Sequence, residues 1–133
     1  MKKVMIMAAL AAMSATAFAQ DDLVKQAKKL CDKGELEQAV TTITPALTSA
    51  QTEDMAEAWN VMSEIQYQIF MKGQQAEQAN KENNTTTPYD TAAMHRAMVA
   101  SLEAALKCDE YDRQPNEKGK EKIRFRETNG KKY

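Results

Sequence analysis

Four stretches of the chain repeat apolar residues in steps of three and four, and this helical period is what most limits the fold. Leu23, Ala27, Leu30 and Cys31 make the first stripe, and Leu36, Ala39, Val40, Ile43 and Leu47 the second. The third stretch carries two adjoining stripes: Ala58, Val61, Ile65 and Ile69 beside Trp59, Met62 and Phe70, with small Ser63. In the fourth, Met94, Met98, Leu102 and Leu106 recur every four residues, backed by Ala97 and Ala105. A helix with one stripe is satisfied by one neighbour, whereas the third must lie between helices. Composition agrees. With 4 Gly, 3 Pro and 6% aromatics in 133 residues, the chain lacks the turn and strand formers of a β-sandwich or barrel. The expected fold is all-α.

The residues between the stripes act as punctuation. Asp21 and Asp22 suit the start of a first helix, where carboxylates meet exposed amides. Lys33-Gly34 ends it, with a cation in the last turn and glycine at the left-handed position. Pro45 falls inside the second stripe. It lacks an amide donor and crowds the Thr41 carbonyl, which predicts a kink or an end near Thr44. Thr52 is the expected N-cap of the third helix, with Glu53 and Asp54 in its first turn. From Gly73 to Glu82 the pattern fades into Gln, Glu and Lys, an exposed continuation or the start of a loop. Residues 83–88 (NNTTTP) break the helix, and Asp90 or Thr91 caps the fourth.

Residues 1–19 read as a secretory signal. Lys2 and Lys3 form a positive start, residues 4–12 are uninterruptedly apolar, and Ala17-Phe18-Ala19 fits the small-x-small cleavage rule. The apolar run is shorter than the ~20 residues a spanning helix needs. A soluble protein starting at Gln20 is therefore expected, exported to the periplasm or secreted, with no stable membrane span. The lysine start and alanine-rich core look bacterial. Residues 20–112 form the helical domain, and residues 113–133 a basic tail, disordered or the start of a further repeat. The near-neutral total conceals this division: residues 21–112 carry 8 Lys/Arg against 16 Asp/Glu, and residues 113–133 carry 8 against 3.

Little in the sequence suggests catalysis. It has 1 His and 2 Cys, no glycine-rich phosphate loop, and no nucleophile–base pair at informative spacing. His95 has no Cys or His within chelating reach on its helix, and an ordinary zinc site would need carboxylates. No enzyme activity, metal or cofactor is expected. Cys31 and Cys108 are compatible with a disulfide or with two separate structural thiols. The tail's basic residues interleave with few aromatics, and export argues against nucleic acid as a partner.

Lys-Gly-Glu-Leu-Glu-Gln-Ala at 33–39 and Ala-Trp-Asn-Val-Met-Ser at 58–63 together resemble the tetratricopeptide repeat (TPR) family. Trp59, Met62 and Ser63 stand at the family's Trp, Leu and small positions. Gly34, Ala39, Ile43 and Ala46 stand at the turn and second-helix positions of a first unit; Met98, Leu102 and Ala105 do so in a second. Leu23 replaces the first Trp, Gln66 stands at the Tyr position with Tyr67 one residue late, and neither unit has the closing Pro. The resemblance covers about residues 22–110. It implies antiparallel helix pairs stacked as a solenoid fragment, with a four-helix bundle as the alternative architecture. It also implies a non-catalytic module for protein or peptide partners or self-association; the bundle would instead suit a small periplasmic chaperone or ligand carrier. With about two units, where ~3 are usually needed, the open end is expected to be completed by a partner, a second copy or further repeats. The groove that such repeats line with first-helix residues would here carry Lys28, Glu57, Asn60, Glu64, Tyr67 and Gln68, flanked by Val24 and Asp32. Its acids would favour a basic peptide.

Overall fold

The computed structural model describes residues 19–115, 118–119 and 123–132, so the expected signal lies outside the described residues except for Ala19. Five helices and no strand occur among them: α1 (Ala19–Asp32), α2 (Leu36–Thr48), α3 (Met55–Asn83), α4 (Thr91–Asp112) and the short α5 (Arg126–Gly130). The protein is all-α. Consecutive long helices are neighbours, and α1 also packs on α3.

The α1–α2 corner follows from local chemistry. Gly34 adopts φ +79, and the Glu35 amide donates back to the Leu30 carbonyl at 2.9 Å, closing the end of α1. Asp21 sits in the first turn of α1, but its carboxylate reaches outward. It accepts the amides of Glu53 and Asp54 at 3.1 and 3.3 Å and so ties α1 to the α2–α3 turn.

Of the kink or early end expected at Pro45, the early end does not occur. The helix continues to Thr48 because that last turn buries Ala46 and Leu47 in the core. The Thr44 hydroxyl donates to the Val40 carbonyl beside the proline, and the Thr52 hydroxyl donates to the Ala46 carbonyl, both at 2.6 Å. Thr52 is thereby spent on α2. The N-cap of α3 is Asp54, whose carboxylate accepts the Glu57 amide at 3.0 Å.

At 29 residues, α3 is the longest helix, and its stretch from Gly73 onward is a helical continuation rather than a loop. Ala58, Val61 and Ile65 join Val24, Ala27, Ile43 and Ala46 in one buried cluster, with Trp59, Met62 and Ile69 packed at its margin. Asn84, left-handed at φ 51, caps the end of α3. Asp90 caps α4 by accepting the Ala93 amide at 2.8 Å.

The buried face of α4 lies beside the one its large residues mark. Ala97, Ser101, Ala104, Ala105 and Cys108 are buried, whereas Val99, Leu102 and Leu106 are 56%, 43% and 59% exposed. Of the residues expected to pack, Ala105 is buried, but Leu102 is exposed, and Ala97, Ser101 and Ala104 carry the contact instead. The cause is close approach. Ser101 and Ser63 are both fully buried, and the Ser101 hydroxyl donates to the Ser63 carbonyl at 3.0 Å. Small residues let α3 and α4 meet backbone to backbone, and a leucine there would hold them apart. Gly73 extends the same contact, since a Cβ on it would lie 2.6 Å from the Met94 Cγ.

Candidate functional site

Residues from the last two turns of α1 and the N-terminal half of α3 converge on one side of the molecule. Lys28, Cys31 and Asp32 face Asn60, Val61 and Glu64 across a cleft of ≈ 270 Å³. Lys28 also borders an adjoining cleft of ≈ 520 Å³, where Glu57 meets Asp21, Asp22, Glu53 and Asp54. Gln68, one turn beyond Glu64, donates its amide to the Glu64 carboxylate at 3.0 Å. The structure thus brings Lys28, Glu57, Asn60 and Glu64 to one groove, with Gln68 at its rim. Tyr67 stands beside the same carboxylate, as the placement of Lys132 makes plain.

The cleft's remaining walls are Thr128 and Lys132, from the chain's own C-terminal segment. Lys132 pairs with Glu64, and its ammonium lies 5.7 Å from the centre of the Tyr67 ring. Arg124 clasps Asp54 through two bonds of 2.8 Å, the bidentate geometry that suits guanidinium and carboxylate. Asp112, buried at the end of α4, accepts the backbone amides of Arg124 and Phe125 at 2.6 and 3.0 Å and the Arg124 Nε at 3.2 Å. Asp109 accepts from Arg113 at 2.8 Å and from Arg126 at 3.1 Å. Asp54, Asp112, Arg124 and Lys132 are site residues that the sequence did not reveal. Its only signal was the contrast between an acidic body and a basic tail.

These contacts shift the groove's carboxyls. The Arg124 guanidinium bound to Asp54 holds its carboxyl below the usual range, against the opposing effect of burial. Burial pushes the Glu64 carboxyl up, but Lys132 and Gln68 outweigh it and leave the group lowered. A carboxyl with a depressed folded-state pKa stabilises the structure above its unfolded pKa, and that stabilisation is lost as pH falls through the folded value. The attachment of residues 123–132 is therefore expected to be complete at neutral pH, to weaken once pH falls below the ordinary carboxylate range of about 4, and to be lost only as pH falls further through the lowered folded-state values. An NMR titration should show the Arg124 and Lys132 resonances moving toward free-chain positions before the Ala58 and Ile65 amides respond.

The other candidate groups stand apart. His95 is exposed on α4. Cys31 and Cys108 are both free and buried; burial, aided by the Asp112 carboxylate, pushes the Cys108 thiol up to about 12. Among the described residues, no three His, Cys, Asp or Glu side chains are grouped to hold a metal ion. Among them, too, no helix is long and apolar enough to cross a membrane. Compared with known proteins, the chain matches no family model, no curated protein and no solved structure.

Proposed function

We propose that this chain is an exported, non-catalytic interaction module built from TPR-like helix pairs. It assembles with a second copy through the outer face of α4 and receives a basic peptide in the α1–α3 groove. The apolar face of α4 carries this reading. Val99, Leu102 and Leu106 are 56%, 43% and 59% exposed on one side of a helix whose other side is buried. Fully burying a Val or Leu side chain is worth about 1.5–3 kcal/mol, so three half-exposed ones hold back roughly 3 kcal/mol that a covering surface would release. The TPR-like part is supported by the packing of α1 on α3 as well as on α2, as expected where one pair stacks on the next. It is supported too by the full burial of Ala27, Ala39, Ala46 and Ser63, at positions where the family keeps small residues.

Self-association gives the test. A native chain that associates reversibly in sedimentation velocity, beside a folded and monomeric Leu102→Glu/Leu106→Glu variant, is the expected result. Two monomers at high protein concentration would remove the role of this face. Both substituted side chains are exposed, so the variant should retain its helical circular dichroism.

A further inference from the structure

The groove assigned above to a basic peptide already holds a basic segment of its own chain. We propose that residues 123–132 are a tethered occupant of this groove, seated where a basic peptide of another chain binds, so that such a peptide must displace them. The inference rests on reading the groove as a peptide site.

The segment's chemistry is that of a ligand for these acids. Two of its cations meet carboxylates of the groove, Arg124 on Asp54 and Lys132 on Glu64. The Lys132 ammonium also lies beside the Tyr67 ring, the flat face expected of a peptide site.

Its attachment is that of a replaceable part. No residue of the segment belongs to the buried apolar cluster of α1, α2 and α3. Ile123 is 42% exposed, and Phe125 is only half-buried. Charge pairs and hydrogen bonds dominate its contacts. The Arg124 and Arg126 side chains remain 34% and 46% exposed, so water and salt can compete for them.

The fit is also incomplete. Asn129 is 8% exposed, and its Oδ1 has no hydrogen-bond partner among the described residues. The Oδ1 of Asn60, on the groove wall, is buried and equally unpaired. A buried acceptor without a donor weakens the complex that contains it. An extended peptide offers a backbone amide at every residue but proline, and one opposite Asn60 would supply the missing donor.

The test uses the full chain, purified as its cell processes it, and a fluorescein-labelled peptide copying residues 123–132. Arg124→Ala with Lys132→Ala loosens the tether and leaves the α1 and α3 residues of the groove in place. Anisotropy is expected to show this variant binding the peptide at least about tenfold more tightly than the unaltered chain. Adding Glu64→Lys should abolish the gain. Equal binding by both chains, or binding by neither, overturns the proposal. Should the doubly substituted chain fail to fold, hydrogen exchange on the unaltered chain decides. Residues 123–132 exchanging about tenfold faster in high salt, with the core of α3 unchanged, supports a displaceable segment. Salt-insensitive protection equal to that of α3 makes the segment a permanent part of the fold and refutes the proposal. Failure here with self-association through α4 intact leaves the interaction-module reading standing; loss of that association with the tenfold gain retained removes the α4 face alone.

Discussion

Ile65→Ala is expected to lower the unfolding free energy by about 3 kcal/mol, within the 2–5 kcal/mol range for truncating a buried isoleucine. Leu106→Ala is expected to change it by less than about 0.5 kcal/mol. Both residues lie on regular apolar stripes and have similar side-chain volumes. They differ in surroundings: Ile65 is fully buried in the cluster that α3 forms with α1 and α2, while Leu106 is 59% exposed. Truncating Ile65 loses its transfer free energy and leaves a cavity that its close-packed neighbours cannot readily close. Truncating Leu106 removes atoms that already touch water. Urea unfolding of dilute samples, where association does not contribute, gives both numbers. Equal losses would mean that α4 turns its leucines inward.

Asp112→Ala is expected to release the C-terminal segment while the four long helices stay folded. The Asp112 side chain is 2% exposed and gathers three hydrogen bonds, two of them from the backbone of residues 124 and 125. Removing one partner of a buried charged pair costs about 3–5 kcal/mol when the other has to remain buried. Here Arg124 can move into water, so the loss is capped at the free energy of opening the segment. The expected signature is local. Protection of the Arg124 and Phe125 amides should fall about a hundredfold, or about 3 kcal/mol, while the α3 amides lose less than tenfold. Asp112→Asn keeps one oxygen that can accept both amides, as a single carboxylate oxygen does now, and loses only the acceptor for the Arg124 Nε and the charge, so it should produce a smaller loss. A uniform drop across α3 and α4 would instead make Asp112 a support of the whole fold.

Features decided within a few residues were legible in the sequence. Gly34 announced a left-handed helix end, Asp90 a cap, and residues 83–88 a break, because each depends on one backbone group and its near neighbours. Pro45 and Thr52 misled because their roles depend on what lies across the molecule. Burial of Ala46 and Leu47 carries α2 past the proline, and the Ala46 carbonyl claims the threonine. On α4 the hydrophobic period marked the large residues, but proximity favoured small ones. Ser101 packs where a leucine could not, and a hydropathy pattern gives a serine no credit for that. The groove shows the same division. Lys28, Asn60, Glu64, Tyr67 and Gln68 were accessible because helical spacing and a family resemblance place them on one face. The pairs Asp54–Arg124 and Glu64–Lys132 join residues 70 and 68 positions apart, and no local pattern encodes such a meeting.

The two sulfurs have a history as well as a position. The Cys108 thiol is fully enclosed in the finished protein and held firmly protonated by its burial, whereas Cys31 borders the α1–α3 cleft. Oxidants can reach the Cys108 sulfur easily only while the polypeptide is still unfolded. In oxidising surroundings the fate of Cys108 is thus settled by a race, helix assembly against oxidation, and a slow-folding mutant would be damaged there even where its final stability was sufficient.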